Sequence, residues 1–247
     1  MKLTLAEPKL LTDSISIISE LVNEVHFKID KDKIELIAMD PANVAMVIFK
    51  LLSSAFAEYK VDKPLEIAIS LDSLKQILKR AKPSDIVSLE YEKDKLKIQI
   101  KGDSTRTFNL ALIDLEKKEQ RVPNLTFPVK IESSTIIFDE AIEDMDVISE
   151  SVALIAEKNK FTIEAQGSLH NAKVEIFPDE ETSIKTDSKE IIKSRYSIDY
   201  LKKIIKASKL TKKVNLYFNK DYPLKLEYVV KDKLNFSVIL APRVSND

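Results

Sequence analysis

The sequence predicts an α+β fold of two similar domains, each an antiparallel sheet with two helices, and three observations lead there. The chain repeats itself, amphipathic helical segments alternate with runs of strand periodicity, and adjacent strands are joined by short polar turns. The repeat comes first. SLDSLKQILKRAK from Ser70 lies over SIDYLKKIIKASK from Ser197 at an offset of 127 residues. The register holds outward in both directions. Val87 and Leu89 fall on Val214 and Leu216, and DKIELIA from Asp32 falls on NKFTIEA from Asn159. Two unrelated amphipathic helices would not keep strands in step on both sides, so the halves are read as a duplication.

In the first half, a helix is expected from about Pro8 to Asn23, with Leu11, Ile15, Ile18 and Val22 on one face. Strands follow at VHFKI from Val25, KIELIAM from Lys33 and VAMVIF from Val44. After the second helix come IVSLEYE, KLKIQI and TFNLAL. The second half repeats the order, with a helix near Ser134 to Ser149 and strands FTIEA, AKVEIF, VNLYF, LKLEYVV and LNFSVIL. Turns such as IDKDK and EKDK favour antiparallel meanders over β-α-β crossovers. Between the halves, DLEKKEQRVPNLTFP from Asp114 to Pro128 has charges, two prolines and no period, and it reads as a linker. The expected division is therefore 1–113, a connector over 114–128, and 129–247. Val122, Leu125 and Phe127 put apolar side chains on a segment expected to be exposed.

Composition narrows the function. The 247 residues include 39 basic and 40 acidic side chains, so bulk charge attracts no polyanion and any such role must rest on local placement. With no cysteine and two histidines, thiolate and histidine-rich metal sites are excluded, and no metal or cofactor is expected. The two glycines, Gly102 and Gly167, sit in no phosphate-binding signature. Glu7, Pro8 and Lys9 interrupt any secretory core at the N-terminus, and no apolar run approaches membrane-spanning length, so an intracellular protein without membrane contact is expected.

Local charge is placed on the two repeated helices. Ser70 is a good N-cap, and Lys75, Lys79 and Lys82 follow at i, i+4 and i+7, opposite Leu74, Ile77, Leu78 and Ala81. Lys202, Lys206 and Lys209 repeat the stripe opposite Leu201, Ile204 and Ile205, with Arg80 and Lys203 as flanking charge. One lysine-rich helix is ordinarily a solvated surface, but repetition at matching positions argues for use. Lysine is a flexible point charge suited to phosphate attraction without fixed register, and no aromatic residue lies on the lysine stripe itself for base stacking. Non-specific contact with a duplex backbone fits this pattern. Affinity from so few phosphates is modest, and topological enclosure would supply what affinity does not. An enzyme using Glu140 and Glu143 as an acid and base pair fits poorly, because acids at i, i+3 on a charged helix face are ordinarily solvated. His26, in a strand-like run, and His170, in a turn, have no nucleophile at motif spacing.

The chain also carries IAMDPANVAMV at Ile37 to Val47, RVPNLTFP in the linker, YPLKLEY at Tyr222 to Tyr228 and LAPRV at Leu240 to Val244. In this order and with the duplicated domain, these segments resemble the proliferating cell nuclear antigen family of sliding clamps, especially its archaeal members. The resemblance implies a non-enzymatic processivity factor for DNA replication and repair, acting on chromosomal DNA in an archaeal cytoplasm. Three subunits would close head to tail around duplex DNA, with helices lining the hole. It implies a peptide groove that tethers DNA polymerase, clamp loader, flap endonuclease and DNA ligase. Carried over by position, the groove residues are Met39, Asn43, Val44, Met46, Val122, Pro123, Pro223, Ile239, Ala241 and Pro242. The subunit contact would pair edge strands, with Thr105, Arg106, Phe108, Leu110 and Ile113 on one side and Leu169, Ala172, Val174 and Ile176 on the other. One departure stands out: where the family usually has basic residues on the first helix of the second domain, this chain has Asp139, Glu140, Glu143 and Asp144. That acidity points to a mixed trimer whose other subunits carry more of the positive field.

Overall fold

The computed structural model describes residues 1–117 and 120–243. Lys118 and Glu119 of the linker and Val244 of the terminal motif lie outside them. The chain forms two compact units, one of Met1–Pro41, Val47–Val122 and Val230–Phe236, the other of Ala42–Met46, Pro123–Val229 and the segment from Ser237 onward.

The elements of the first half are β1 (Lys2–Leu5), α1 (Lys9–Ile18), β2 (Glu24–Ile29), β3 (Lys33–Met39), β4 (Ala45–Leu52), β5 (Glu58–Lys60), β6 (Leu65–Ser70), α2 (Leu71–Leu78), β7 (Ile86–Glu92), β8 (Lys95–Lys101) and β9 (Thr105–Ala111). Those of the second half are β10 (Val129–Ser134), α3 (Thr135–Asp146), β11 (Ser151–Glu157), β12 (Lys160–Gln166), β13 (Asn171–Ile176), β14 (Ser183–Thr186), β15 (Ile192–Ser197), α4 (Ile198–Ile204), β16 (Lys213–Phe218), β17 (Leu224–Val230) and β18 (Leu234–Leu240). The strand orders β5-β1-β7-β8-β9 and β4-β3-β2-β6 recur as β14-β10-β16-β17-β18 and β13-β12-β11-β15. At the offset of 127, β3 falls on β12 and β6 on β15 residue for residue, so the sequence repeat is a repeat of topology.

Each half opens with a strand that periodicity does not predict. β1 is four residues long and β10 runs straight into α3, both too short or too abrupt for a period-2 signal. β5, β6, β11, β14 and β15 are likewise additions to the expected strands; β11, SVALIAE, is buried at four of seven positions, so it lacks a clean alternation. The helices are shorter than their periodic patterns. α1 ends at Ile18 and the chain turns through Val22, whose N–H still reaches the Ile18 carbonyl at 3.0 Å. α3 ends at Asp146 rather than Ser149.

Packing explains the helix positions. Leu11, Ile15, Ile18 and Val22 are all buried, as their spacing requires, and α1 packs beside α2, which buries Leu71, Leu74 and Leu78. In the second half, α3 buries Phe138, Ala141, Ile142 and Met145, and α4 buries Ile198, Leu201 and Ile204. Beneath them Phe161 and Phe218, both fully buried, meet with ring centroids 6.2 Å apart. Truncation of such an aromatic removes transfer energy and leaves a cavity. Phe161→Ala is expected to cost about 3–5 kcal/mol, read as a lower denaturant midpoint for the second half while hydrogen exchange in β7 and β8 stays native.

Candidate nucleic-acid interface, peptide groove and strand edges

The basic helices begin as expected. The Ser70 hydroxyl accepts from the Ser73 N–H at 3.4 Å, and Asp72 occupies the first turn. The stripe then departs from an ideal helix. α2 stops at Leu78, so Lys79 is its C-cap and Lys82 lies in the following turn. α4 stops at Ile204 and tightens into a 3₁₀ turn, Ile205–Lys209, that carries Lys206 and Lys209. A 3₁₀ turn eclipses i and i+3, so these two lysines still share a side.

The lysines fall into two groups. Lys75 is half-buried, with its ammonium 3.8 Å from the Glu20 carboxylate, and Lys202 sits 2.5 Å from Asp146 on α3. The hydrogen bond to Asp146 holds the Lys202 ammonium above its ordinary pKa, so it stays charged but engaged. The Lys82 ammonium is 3.0 Å from Asp103, and Lys203 lies over the Tyr200 ring, 5.4 Å from its centroid. Lys79, Arg80, Lys206 and Lys209 are exposed, and of these Lys79, Arg80 and Lys209 make no ion pair among the described residues.

The acids of α3 are also sorted by position. Glu140, Glu143 and Asp144 are exposed, while Asp139 is half-buried toward Ser208 and the fully buried Tyr228. Desolvation lifts Asp139 to about 6, against a hydrogen bond from Ser208 that favours its ionised form.

The groove residues divide between the two units, and each is placed within its own. In the first, Met39 is half-buried at the end of β3 and Val122 is 45% exposed. In the second, Asn43 is exposed with a left-handed backbone, φ 57°, and the Ala241 N–H donates to the Val44 carbonyl at 2.9 Å. Val44, Pro223, Ala241 and Pro242 are half-buried and Pro123 is exposed. Met46 and Ile239 are buried, so they can form a floor but not a wall. Phe127, expected as an exposed linker side chain, packs instead against Tyr217 and Tyr222, each 5.9 Å away between centroids.

β9 and β13 each end their strand order, as the edge-strand expectation needs. Phe108, Leu110, Ala172 and Val174 are half-exposed on the side that alternation assigns them, Thr105 is exposed, and Leu169 stands 87% exposed in the preceding turn. Three residues differ from expectation. Ile113 lies beyond β9, with its N–H on the Ala68 carbonyl at 3.0 Å; Ile176 is buried; and Arg106 is turned inward to Asp85. Val147, 83% exposed at the end of α3, escapes a sequence reading because it lies just past the apolar periodicity.

His26 is in β2 with Nδ1 3.5 Å from Glu66, and His170 closes the β12–β13 turn through its carbonyl. No cluster of three or more potential metal ligands occurs among the described residues, and no helix there is long and apolar enough to cross a membrane.

Asp139 supplies a test of these placements. Its pKa is raised above the unfolded value of 3.8, so its neutral form favours folding at pH below about 4, and that contribution is lost as pH rises through about 6. A rise of this size corresponds to roughly 3 kcal/mol, reduced by solvent screening of a half-exposed group to about 1 kcal/mol. Asp139→Asn is therefore expected to raise the melting temperature by a few degrees at pH 8 and much less at pH 4.5; an equal gain at both would sink the assignment.

Comparison with known proteins agrees with this architecture. The model of the proliferating cell nuclear antigen N-terminal domain matches residues 1–120, and that of the C-terminal domain matches residues 121–243. The chain is similar to the DNA polymerase sliding clamp of Nanoarchaeum equitans, 36% identical over 247 residues that cover 98% of this chain and 99% of the relative. It is 34% identical to that of Pyrococcus furiosus over 227 residues, 92% of this chain and 91% of the relative. A crystal structure of the proliferating cell nuclear antigen from Thermococcus kodakaraensis superposes with a TM-score of 0.92 at 26% identity, covering 98% of this chain and 99% of that one. With both domain models matched in order and the fold shared end to end, this chain is a member of the proliferating cell nuclear antigen family.

Proposed function

We propose that the chain is one subunit of a DNA sliding clamp, a non-enzymatic ring that encircles duplex DNA inside the cell. The observation that carries the reading is two of the strand edges among the described residues, β9 and β13. β9 and β13 each end a strand order and each carries half-exposed apolar residues, a combination that soluble proteins ordinarily pair or cover. Pairing β9 of one subunit with β13 of the next is a head-to-tail contact, which gives a closed ring when the rotation closes. The chain's two similar halves then set basic helix arcs at repeated positions around the opening. Loose lysine contacts suit a ring that must slide, because they attract phosphate without fixing register.

Residues 114–128 act as the interdomain connector, and the residues at Met39, Asn43–Met46, Val122–Pro123, Pro223 and Ile239–Pro242 receive clamp-interacting peptides of DNA polymerase, clamp loader, flap endonuclease and DNA ligase. The acids of α3 favour a mixed ring. Asp146 engages Lys202, and Glu140, Glu143 and Asp144 remain exposed, so the second half contributes less attraction for DNA than the first. Related subunits would supply the difference.

Three measurements test this. The assembled protein should stay on closed circular duplex after loading and leave once the circle is cut. Light scattering should give a trimer mass only with related chains present, and a stable trimer of this chain alone would remove the mixed ring. Charge reversal at Lys79 and Lys209 should weaken binding to short duplex DNA more than reversal at Lys75 and Lys202, which already face carboxylates. Each lost phosphate contact should lower the salt slope by about 0.9; an unchanged slope for Lys79→Glu and Lys209→Glu would refute the DNA-facing assignment.

A further inference from the structure

Arg106 was expected at a subunit contact, yet its side chain runs inward from β9. Its Nη2 donates to Asp85 Oδ2 at 2.6 Å and its Nη1 donates to the Arg80 carbonyl at 2.8 Å. The same Asp85 oxygen accepts the Lys82 backbone N–H at 3.0 Å, and the Asp85 N–H returns to the Lys82 carbonyl at 3.0 Å. One carboxylate thus closes the Lys82–Asp85 turn, and one guanidinium ties both that turn and the Arg80 carbonyl to the edge strand. Asp85 is 3% exposed, and a buried carboxylate needs this satisfaction. The site is fitted closely: a Cβ added at Gly102 would collide with Asp85 Oδ1. The repeat does not reproduce it, because the residue 127 positions on from Asp85, just before β16, is Lys212.

We infer that Arg106 and Asp85 are positioning residues that couple the edge strand β9 to the basic turn at Lys79–Lys82, so that the presentation of these cations to DNA depends on the state of the subunit edge. The inference rests on the DNA reading above. A two-pronged guanidinium spans both the carboxylate and the carbonyl, which an ammonium does not do with the same geometry. The turn would be ordered when β9 is paired in a ring and looser when the edge is free.

The sign of one substitution separates this from simple electrostatics. Asp85→Asn removes a negative charge, which through space should strengthen DNA binding, whereas loss of the brace should weaken it. The test uses the assembled ring, with mass and melting temperature checked for each variant, and a short fluorescent duplex titrated across salt concentrations. Asp85→Asn, Arg106→Lys and Gly102→Ala are each expected to weaken binding several-fold and to lower the salt slope by about one. Two of these keep every charge in the protein. Binding by Asp85→Asn as tight as or tighter than the parent overturns the inference, and so does full retention by Arg106→Lys, which would show that the two-pronged contact is not needed. Should these variants fail to fold, amide exchange on the unaltered chain decides: residues 80–85 should gain protection together with β9 on ring assembly, and independent exchange overturns the coupling. Lys79→Glu separates the two readings. If it leaves the slope unchanged, the DNA reading fails; if it lowers the slope while the brace variants do not, the coupling alone fails.

Discussion

The constraint on which the structure depends is the cover over each sheet. A sheet face of β-branched and aromatic side chains must be kept from water, and in each half two short helices do this with one apolar arc apiece. Burial of Leu74 and Leu78, and of Leu201 and Ile204, fixes the rotation of α2 and α4. The lysines are on the opposite arc for that reason. The basic charge is placed by the same contacts that hold the core, so the basic face needs no separate scaffold.

A second constraint acts along the strands. Backbone N–H and C=O groups at the end of a strand order need partners or water, and a flat apolar edge invites another chain. β9 and β13 both end a strand order, and they differ in charge: Thr105, Thr107 and Asn109 alternate on one, Lys173 and Glu175 on the other. The inward turn of Arg106 takes the one cation of β9 out of that edge and gives it to Asp85. Edge and basic turn are therefore joined in the first half by a link that the second half lacks.

Ion pairing sets how much of the basic surface is available. A pair such as Lys202 with Asp146 adds little stability where it is exposed, but it does answer a charge that could otherwise face phosphate. Acids on α3 lie beside the lysines of α4, and Asp146 engages Lys202, while Lys79, Arg80, Lys206 and Lys209 stay exposed. The repeat kept the fold in both halves and let their electrostatics diverge.

The α+β class, the duplication and most of the longer strands were legible in the sequence, because each rests on a local period: alternation in KIELIAM and LKLEYVV, and the 3.6-residue spacing of Leu11, Ile15 and Ile18. The apolar arcs of α2 and α4 were legible for the same reason, but Lys82 lies beyond α2, and Lys206 and Lys209 lie in the 3₁₀ turn after α4. What the sequence could not carry was anything decided by distant contact. Helix ends, the burial of Met46 and Ile239, the packing of Phe127 on two tyrosines and the half-burial of Asp139 all depend on what arrives from elsewhere in the chain. Arg106 shows the limit most clearly. The strand TFNLAL beside it was readable from alternation, but a partner 21 residues away, in a pocket that leaves no space for a side chain at Gly102, was set only by the folding of the β8–β9 hairpin against the end of α2. Periodicity determines which face a residue takes, and tertiary packing determines what it meets there.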